Sequence, residues 1–322
     1  MKIILPSYDI LPRPKGDDIL KHIERCGRIC YKSEGLITEN SAAGFVSRII
    51  KRGHEAVLEH GSFCFSTDPS SWRQLKSLIG ELENKGFCSY LRFTDDSRPL
   101  VSGNVRAWRD FMKSCMKEGY KIPGYMKMFV NENSILFPEY QDAWNFAPGP
   151  FGEFCVVDTD DLLTDNERLT HRDMTILFTV DRGVSHEIVR HRPASYCQES
   201  TRYCNYSKDE FGKEITVIKP NFLLPLSEAW RVWEKSCLDD EAAYFGMLDL
   251  GCTPQQARDV LPTSTKTEIV MTTNLREWRH FFKLRCGSAA HPQIREVATP
   301  ALNEVAERTP DLFCDILNEV LT

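Results

Sequence analysis

Four arginines lie close together near the middle of this chain. Arg182, Arg190, Arg192 and Arg202 fall within 21 residues, although the chain as a whole carries a formal net charge of −6. A guanidinium keeps its charge at physiological pH, and its planar fork can contact two phosphate oxygens at once. The cluster therefore predicts a site for a small, multiply charged anion. The alternative is a solvated helix end, where cations lie favourably near the last carbonyls.

A strand, a helix and a loop are predicted to position this cluster. The apolar run at 174–180 is typical of a buried strand. Asp181 can cap a helix over 182–191, and Pro193 disfavours helical angles in the residue before it. The loop that follows carries Ser200 and the last arginine of the cluster.

The other elements are predicted from apolar spacing and from capping residues. The helix over 38–53 is predicted to begin at a Thr38 cap and to end at Gly53, and Thr253 is predicted to cap the helix that Pro254 begins. Segment 63–66 predicts an edge strand. Further strands are predicted at 2–5 and 267–273, and further helices at 17–30, 70–83, 103–117, 227–251, 254–260, 275–286 and 292–308. Together they predict an α+β fold in which helices flank a mixed central β-sheet.

Composition excludes several classes of protein. With 322 residues, 42% hydrophobic and 27% charged, the chain has the make-up of an ordinary soluble globular protein. No apolar stretch approaches a membrane span, and the first apolar run is too short for a signal peptide. The 12 cysteines form no Cys-x-x-Cys pair, which favours reduced thiols in a cytoplasm. The pI of about 5.8 argues against a nucleic-acid partner.

A second set of basic residues lies on the predicted helix 275–286. Arg285 continues the apolar stripe of Trp278 and Phe282, while Arg276 and His280 stand four apart and can contact one ligand. A guanidinium on a buried face is costly unless it meets an anion or several acceptors. An arginine in a last turn can also bend out to solvent. Spacing alone leaves both interpretations of this arginine open.

Three segments together resemble the flavin-dependent thymidylate synthases, the ThyX family. The first is residues 54–65, HEAVLEHGSFCF. The second is Arg190-His191-Arg192, followed after seven residues by Ser200. The third is ARDVLP at 257–262 with NLREWRHFFKLR after it, and all three occur in the family's order.

The resemblance covers about 1–68 and 171–310. It implies a single catalytic domain over 1–322, with a largely helical insertion at about 70–170. Within the insertion, 118–165 is rich in Gly, Pro, Asn and Asp and carries no motif.

The resemblance implies reductive methylation of dUMP to dTMP. Methylenetetrahydrofolate would supply the carbon, and FAD reduced by NADPH would supply the hydride. Arg285 is implied to be catalytic, because it would hold the uracil ring and stabilise negative charge at its N3 and O4 edge. Arg202 is implied to bind the phosphate, and Ser200 is interpreted as a binding residue, since no general base is linked to it. The residues implied to bind dUMP are Glu187, Arg190, Gln198, Glu199, Ser200, Thr201, Arg202, Arg258 and Arg285.

A separate set of residues is implied to surround FAD. In the family these residues come from different subunits of a homotetramer, so shared sites are implied. The cofactor carries the hydride chemistry, and the protein supplies orientation and charge. The set is His60, Ser62, Arg190, His191, Arg192, Gln198, Asn274, Arg276 and His280.

Some positions depart from the family pattern. Glu187 stands where many members have glutamine, and a carboxylate there would repel phosphate unless it pairs with Arg190 or His191 on its own helix. Gln198 replaces a common acidic residue, and Cys30 replaces a serine that often contacts flavin.

Two other functions are weighed against this one. A metallohydrolase would explain His186 and His191, but five residues of helix rotate two histidines by about 140°, off a common face. No metal site is therefore predicted. The second alternative is a non-catalytic nucleotide- or flavin-binding protein of the same fold, which would bind dUMP without oxidising NADPH.

Overall fold

The protein is described by a computed structural model that covers residues 1–16, 18–95, 98–148, 152–208 and 211–321.

The strands and helices follow one another in a mixed order. The strands are β1 (Lys2–Ile4), β2 (Ser7–Leu11), β3 (Ser62–Thr67), β4 (Arg92–Thr94), β5 (Leu100–Asn104), β6 (Phe154–Val156), β7 (Asp173–Asp181), β8 (Ser195–Gln198), β9 (Thr216–Ile218) and β10 (Lys266–Asn274). The helices are α1 (Asp18–Tyr31), α2 (Ser41–Lys51), α3 (Pro69–Glu83), α4 (Val105–Lys117), α5 (Lys127–Glu132), α6 (Asp165–His171), α7 (Arg182–Ile188), α8 (Glu228–Asp249), α9 (Pro254–Ala257), α10 (Leu275–Cys286), α11 (Pro292–Arg308) and α12 (Pro310–Leu321).

The central sheet has the strand order β2-β7-β10-β8, and each of these neighbours pairs antiparallel. Successive side chains of a strand point to opposite faces. Ile269 and Met271 of β10 accordingly pack in the apolar core with α10, α11 and α12, whereas Val270 packs in the core on the other face with α1 and α2. The sheet thus separates two cores and fixes the helices that flank it.

A second antiparallel sheet has the order β4-β5-β3-β6. It joins β3, which contains the end of the first motif, to three strands within residues 70–170. Phe65 of β3 stacks on Phe154 with ring centroids 4.0 Å apart, and Trp108 of α4 meets Phe65 edge-on at 5.2 Å. These rings belong to the same core as Ile23 of α1 and Val46 of α2. Residues 70–170 therefore share one core with the N-terminal helices.

The α+β prediction is confirmed. The central sheet, predicted to be mixed, is antiparallel, and parallel pairing occurs in a separate sheet. The parallel pair is β1 with β9, which packs near α8. The predicted caps are confirmed at Asp181, whose carboxylate accepts from the Val184 N–H at 2.7 Å, and at Thr253, which forms a capping box with Gln256.

Other boundaries differ from the predictions. α2 begins at Ser41 and not at Thr38, because Thr38 and Ser41 form a turn in which the Thr38 N–H donates to the Ser41 hydroxyl at 2.9 Å. Asp17, where α1 was predicted to begin, lies outside the described residues. The predicted edge strand at 63–66 is an inner strand, since β3 has neighbours on both sides. α7 ends at Ile188, before the predicted 191.

Within the described parts of the chain, no helix combines the length and the apolar character that crossing a bilayer requires.

Candidate functional site

The two halves of the central motif lie at opposite ends of β8. Ser195 pairs with Thr272 and Gln198 pairs with Ile269 of β10. The Arg190–Arg192 run precedes β8 and Ser200 follows it. A strand rises about 3.3 Å per residue, so the two groups are separated by roughly 10 Å or more. In one chain they form two basic groups and not one cluster.

Arg190 and Arg192 are exposed, at the first end of β8. A guanidinium nitrogen of Arg192 donates to the His191 carbonyl at 2.9 Å, and its guanidinium lies 5.3 Å from the centre of the Tyr196 ring. In the part of the chain that the structure describes, neither arginine pairs with a carboxylate, whereas Arg13, Arg28, Arg92 and Arg109 all do. Both are therefore available to an external anion.

His191 is buried between these two arginines and lies against α10. Its ring centre is 5.3 Å from that of His280, and its Nε2 lies 3.4 Å from a carboxylate oxygen of Glu277. Burial lowers the pKa of His191 to about 4, and the nearby His280 and Arg285 act in the same direction. The imidazole is therefore neutral at pH 7.

Arg285 pairs with Glu187 across α7 and α10. Its guanidinium donates to the Glu187 carbonyl at 2.7 Å and lies 3.3 Å from the carboxylate. The partner of Glu187 is therefore Arg285, and not Arg190 or His191, which the sequence offered as possible partners. α10 runs back along the sheet and brings Arg285 beside α7, whereas Arg190 lies beyond the helix end. The Nε of Arg285 is buried and has no hydrogen-bond partner among the described residues.

The second basic group follows β8. The Ser200 N–H donates to the Cys30 carbonyl at 3.1 Å, which fixes the start of the segment on α1. The exposed Arg202 donates from Nε to Gln255 of α9 at 3.4 Å, and Arg258 follows that helix directly. Ser200, Arg202 and Arg258 are thus brought to one region, with the partly exposed Thr201 between the first two.

Two predicted binding residues in this segment make contacts within the protein. Glu199 is 2% exposed, and its carboxylate accepts from Lys266 at 2.9 Å. The Gln198 amide donates to the Ser185 hydroxyl at 2.9 Å and to Thr267 at 3.2 Å. These bonds tie β8 to α7 and β10 and so hold the segment that carries Ser200.

His60 ends a buried chain of hydrogen bonds. Nε2 of His22 lies 3.2 Å from the Thr175 hydroxyl, which lies 2.8 Å from the Thr272 hydroxyl, and that hydroxyl lies 2.7 Å from Nδ1 of His60. Each hydroxyl donates one proton, so the tautomers of the two histidines are linked. Burial lowers the pKa of His60 to about 3 and that of His22 to about 4. The sequence did not identify the threonines, because a threonine in a buried strand has no distinctive spacing.

Two cavities lie on either side of Thr272, which lines both. The first, of about 290 Å³, is lined by His60 and Ser62. The second, of about 500 Å³, is lined by Arg192 and Asn274 and opens toward the insertion. Four of the residues that the resemblance assigns to flavin are thus divided between two cavities of one chain.

The start of α10 carries the remaining predicted residues. Asn274 caps the helix by accepting from the Glu277 N–H at 2.9 Å, and Arg276 donates to Asn166 at 2.7 Å and to the Thr170 hydroxyl at 2.9 Å. His280 is exposed one turn further on. Arg276 and His280 therefore lie on one side of α10, with Arg276 held against α6.

The histidines that could suggest a metal site do not share a surface. His186 is exposed, whereas His191 is buried. Among the residues that the structure describes, no group of three or more His, Cys, Asp or Glu side chains could hold a metal ion.

Comparison with known proteins finds similarity in the C-terminal half of the chain. Residues 165–311 match the family model described as thymidylate synthase complementing protein. Three similar curated proteins are flavin-dependent thymidylate synthases. Identity is 38% over 137 residues for that of Pyrococcus furiosus, 36% over 136 for that of Geobacter sulfurreducens and 40% over 134 for that of Sulfurisphaera tokodaii.

Each match covers 42% of this chain, and the matches cover 55%, 57% and 50% of the respective relatives. The chain thus spans about half the length of the curated relatives it matches. The matched region contains α7, β8, β10 and α10, which carry most of the residues described above. Residues 165–311 are therefore similar to the thymidylate synthase complementing protein family, and the resemblance to flavin-dependent thymidylate synthases predicted from the motifs is confirmed as a similarity.

Proposed function

We propose that the protein converts dUMP to dTMP by reductive methylation, with methylenetetrahydrofolate as carbon donor, FAD as cofactor and NADPH as reductant. The observation that carries the proposal is the state of Arg285. Its guanidinium is held on one side by Glu187, while its buried Nε has no partner among the described residues. A buried donor without an acceptor costs about 1–3 kcal/mol, so a ligand carbonyl at this position would be bound favourably.

Arg285 would bind the uracil ring and stabilise negative charge at its N3 and O4 edge. Because a guanidinium is planar, its Nε and one terminal nitrogen can donate to two neighbouring acceptors. Such donors, fixed before the reaction begins, stabilise charge as it develops. Glu187 holds the guanidinium in place but also cancels part of its positive charge.

Replacing Glu187 with glutamine is therefore expected to raise kcat/KM for dUMP. The amide keeps an oxygen for Arg285 and removes the negative charge 3.3 Å away. Partly exposed ion pairs contribute up to about 1 kcal/mol, which corresponds to roughly a fivefold change. Steady-state kinetics at two salt concentrations provide the measurement, and the gain should shrink in high salt. A lower kcat/KM would indicate that the carboxylate itself is needed.

The phosphate of dUMP would bind to Ser200, Arg202 and Arg258. Arg202 is exposed, and its one side-chain hydrogen bond within the described residues leaves the terminal nitrogens of its fork for phosphate oxygens. The group lies beyond the opposite end of β8 from Arg190. This separation supports a nucleotide site completed by Arg190 of a second subunit.

FAD would bind at His60, Ser62, Arg192 and Asn274, with Arg190, His191, Arg276 and His280. These residues fit FAD, which carries negative charge. The exposed Arg192 has no carboxylate partner in the described parts of the chain, and it borders a cavity of about 500 Å³. When bound, FAD supplies the hydride chemistry, and neutral His60 and His191 supply hydrogen bonds. The division of these residues between two cavities supports a homotetramer with shared sites.

The visible spectrum of the purified protein tests the proposal. The expected result is flavin absorption that bleaches with NADPH, and dTMP formation when dUMP and methylenetetrahydrofolate are added. Light scattering on the same sample should give a tetramer. A protein that binds FAD and dUMP but leaves NADPH unoxidised would instead be the non-catalytic binder. A protein that binds no flavin would overturn the proposal.

A further inference from the structure

The insertion faces the central sheet across the larger cavity, here called the insertion cleft. One wall is formed by Arg192–Ser195 and Thr272–Asn274, on the sheet side. The other wall is formed by residues 89–92, which lead into β4, and by residues at the start of α4, including Arg106. At about 500 Å³ the cleft is in the size range of sites for small organic ligands. The insertion thus closes a space that the family segments border.

The charges in the insertion cleft are paired except on the sheet side. Arg92 forms a two-point bond with Asp173, at 2.6 and 2.9 Å, and Arg106 donates to Glu59 at 2.7 Å. Asp110 lies 3.6 Å from Arg106. Among the described residues that line the cleft, Arg192 is the cation without a carboxylate partner. The cleft therefore offers one positive charge to an anionic ligand.

Tyr90 gives the insertion wall an aromatic surface. Tyr90 is 66% exposed, although it borders the cavity. The backbone around it is fixed, because the Leu91 N–H donates to the Ser89 hydroxyl at 3.2 Å and the next residue, Arg92, is tied to β7 through Asp173. A large ring held in this position with its surface uncovered suits a flat ligand, because aromatic rings gain stability when they stack.

We propose that the insertion supplies one wall of the flavin site, with Tyr90 covering the planar ring system of FAD and Arg192 on the opposite wall binding its anionic part. A flat ring joined to a negatively charged group matches both walls, and the cavity is larger than a pyrimidine ring needs. The inference rests on the proposed function, because it assigns FAD to the cleft.

The experiment measures the Kd of FAD for the full-length protein by fluorescence titration. Stacking on one aromatic side chain changes affinity by about tenfold. Tyr90→Ala is therefore expected to weaken FAD binding roughly tenfold, and Tyr90→Phe, which keeps the ring, to bind like the unmodified protein. Trp144→Ala is the matched control, because Trp144 is an aromatic of the insertion that is 80% exposed and does not line the cleft.

The possible outcomes distinguish failure of this inference from failure of the proposed function. If the unmodified protein binds FAD and Tyr90→Ala binds it equally well, the insertion wall is excluded and the proposed function stands. If Tyr90→Phe loses as much affinity as Tyr90→Ala, the ring does not stack and the inference also fails. If the unmodified protein binds no FAD, the proposed function itself fails. Thermal unfolding of each variant controls for folding, which an exposed side chain should affect little.

Discussion

Replacing Arg285 with lysine is expected to reduce dTMP formation by about 10²–10³-fold, the scale measured when one fixed donor to developing charge is removed. Lysine keeps the charge but loses Nε and the fork. In the folded chain one terminal nitrogen of Arg285 already donates to the Glu187 carbonyl. A single ammonium cannot hold that carbonyl and two atoms of the uracil edge together. FAD should remain bound, because the residues proposed to hold it do not include Arg285.

Product analysis together with the flavin content of the purified variant provides the measurement. Arg279→Lys is the matched control, since Arg279 lies on the same helix and pairs with Asp315 on the side away from Glu187. That variant should form dTMP at the normal rate per folded molecule. Normal turnover in Arg285→Lys would remove Arg285 from the mechanism.

Replacing Arg202 with alanine is expected to weaken binding of dUMP by roughly 10- to 100-fold, because a hydrogen bond to a charged group contributes about 1.5–3 kcal/mol. Deoxyuridine has no phosphate, so its weaker binding should change little. The structure supports this difference, because Arg202 lies at the end of β8 that is remote from Arg190, and its contact with Gln255 is a single bond of 3.4 Å.

Calorimetric titration of both ligands measures the two effects side by side. Arg73→Ala is a suitable control, because Arg73 is an exposed arginine of α3, outside the regions assigned to dUMP. It should leave both affinities unchanged. An equal loss for dUMP and deoxyuridine in Arg202→Ala would indicate that this arginine supports the fold or the base pocket.

The parts of the fold that depend on local chemistry could be predicted from the sequence. Asp181 and Thr253 cap helices through partners three residues away, so their patterns are visible in the chain. β8 could not be predicted in this way. Its four residues follow Pro193 and take the strand conformation because β10, far along the chain, pairs with them. The sheet of the insertion was missed for the same reason, since β4 and β6 have three residues each.

In the candidate site, too, the sequence predicted individual residues but not the contacts between them. The motifs identified Arg285 and Glu187 as residues of interest, but their pairing joins positions 98 residues apart, and no spacing rule connects them. The motif also suggested one basic cluster from Arg190 to Arg202, whereas β8 separates its ends. Contacts that form only when the sheet assembles cannot be predicted from the spacing of residues in the sequence.

The shared core of the insertion has a consequence for how the protein unfolds. Trp108 and Phe111 of α4 lie in the same apolar cluster as Ile23 and Val46 of the N-terminal helices. A segment with a core of its own can open as a separate cooperative unit, whereas one that shares a core exposes its neighbours when it opens. The shared core therefore predicts that residues 70–170, α1 and α2 open together, as a single foldon. Excising residues 70–170 would therefore leave part of that cluster in water and destabilise α1 and α2 as well.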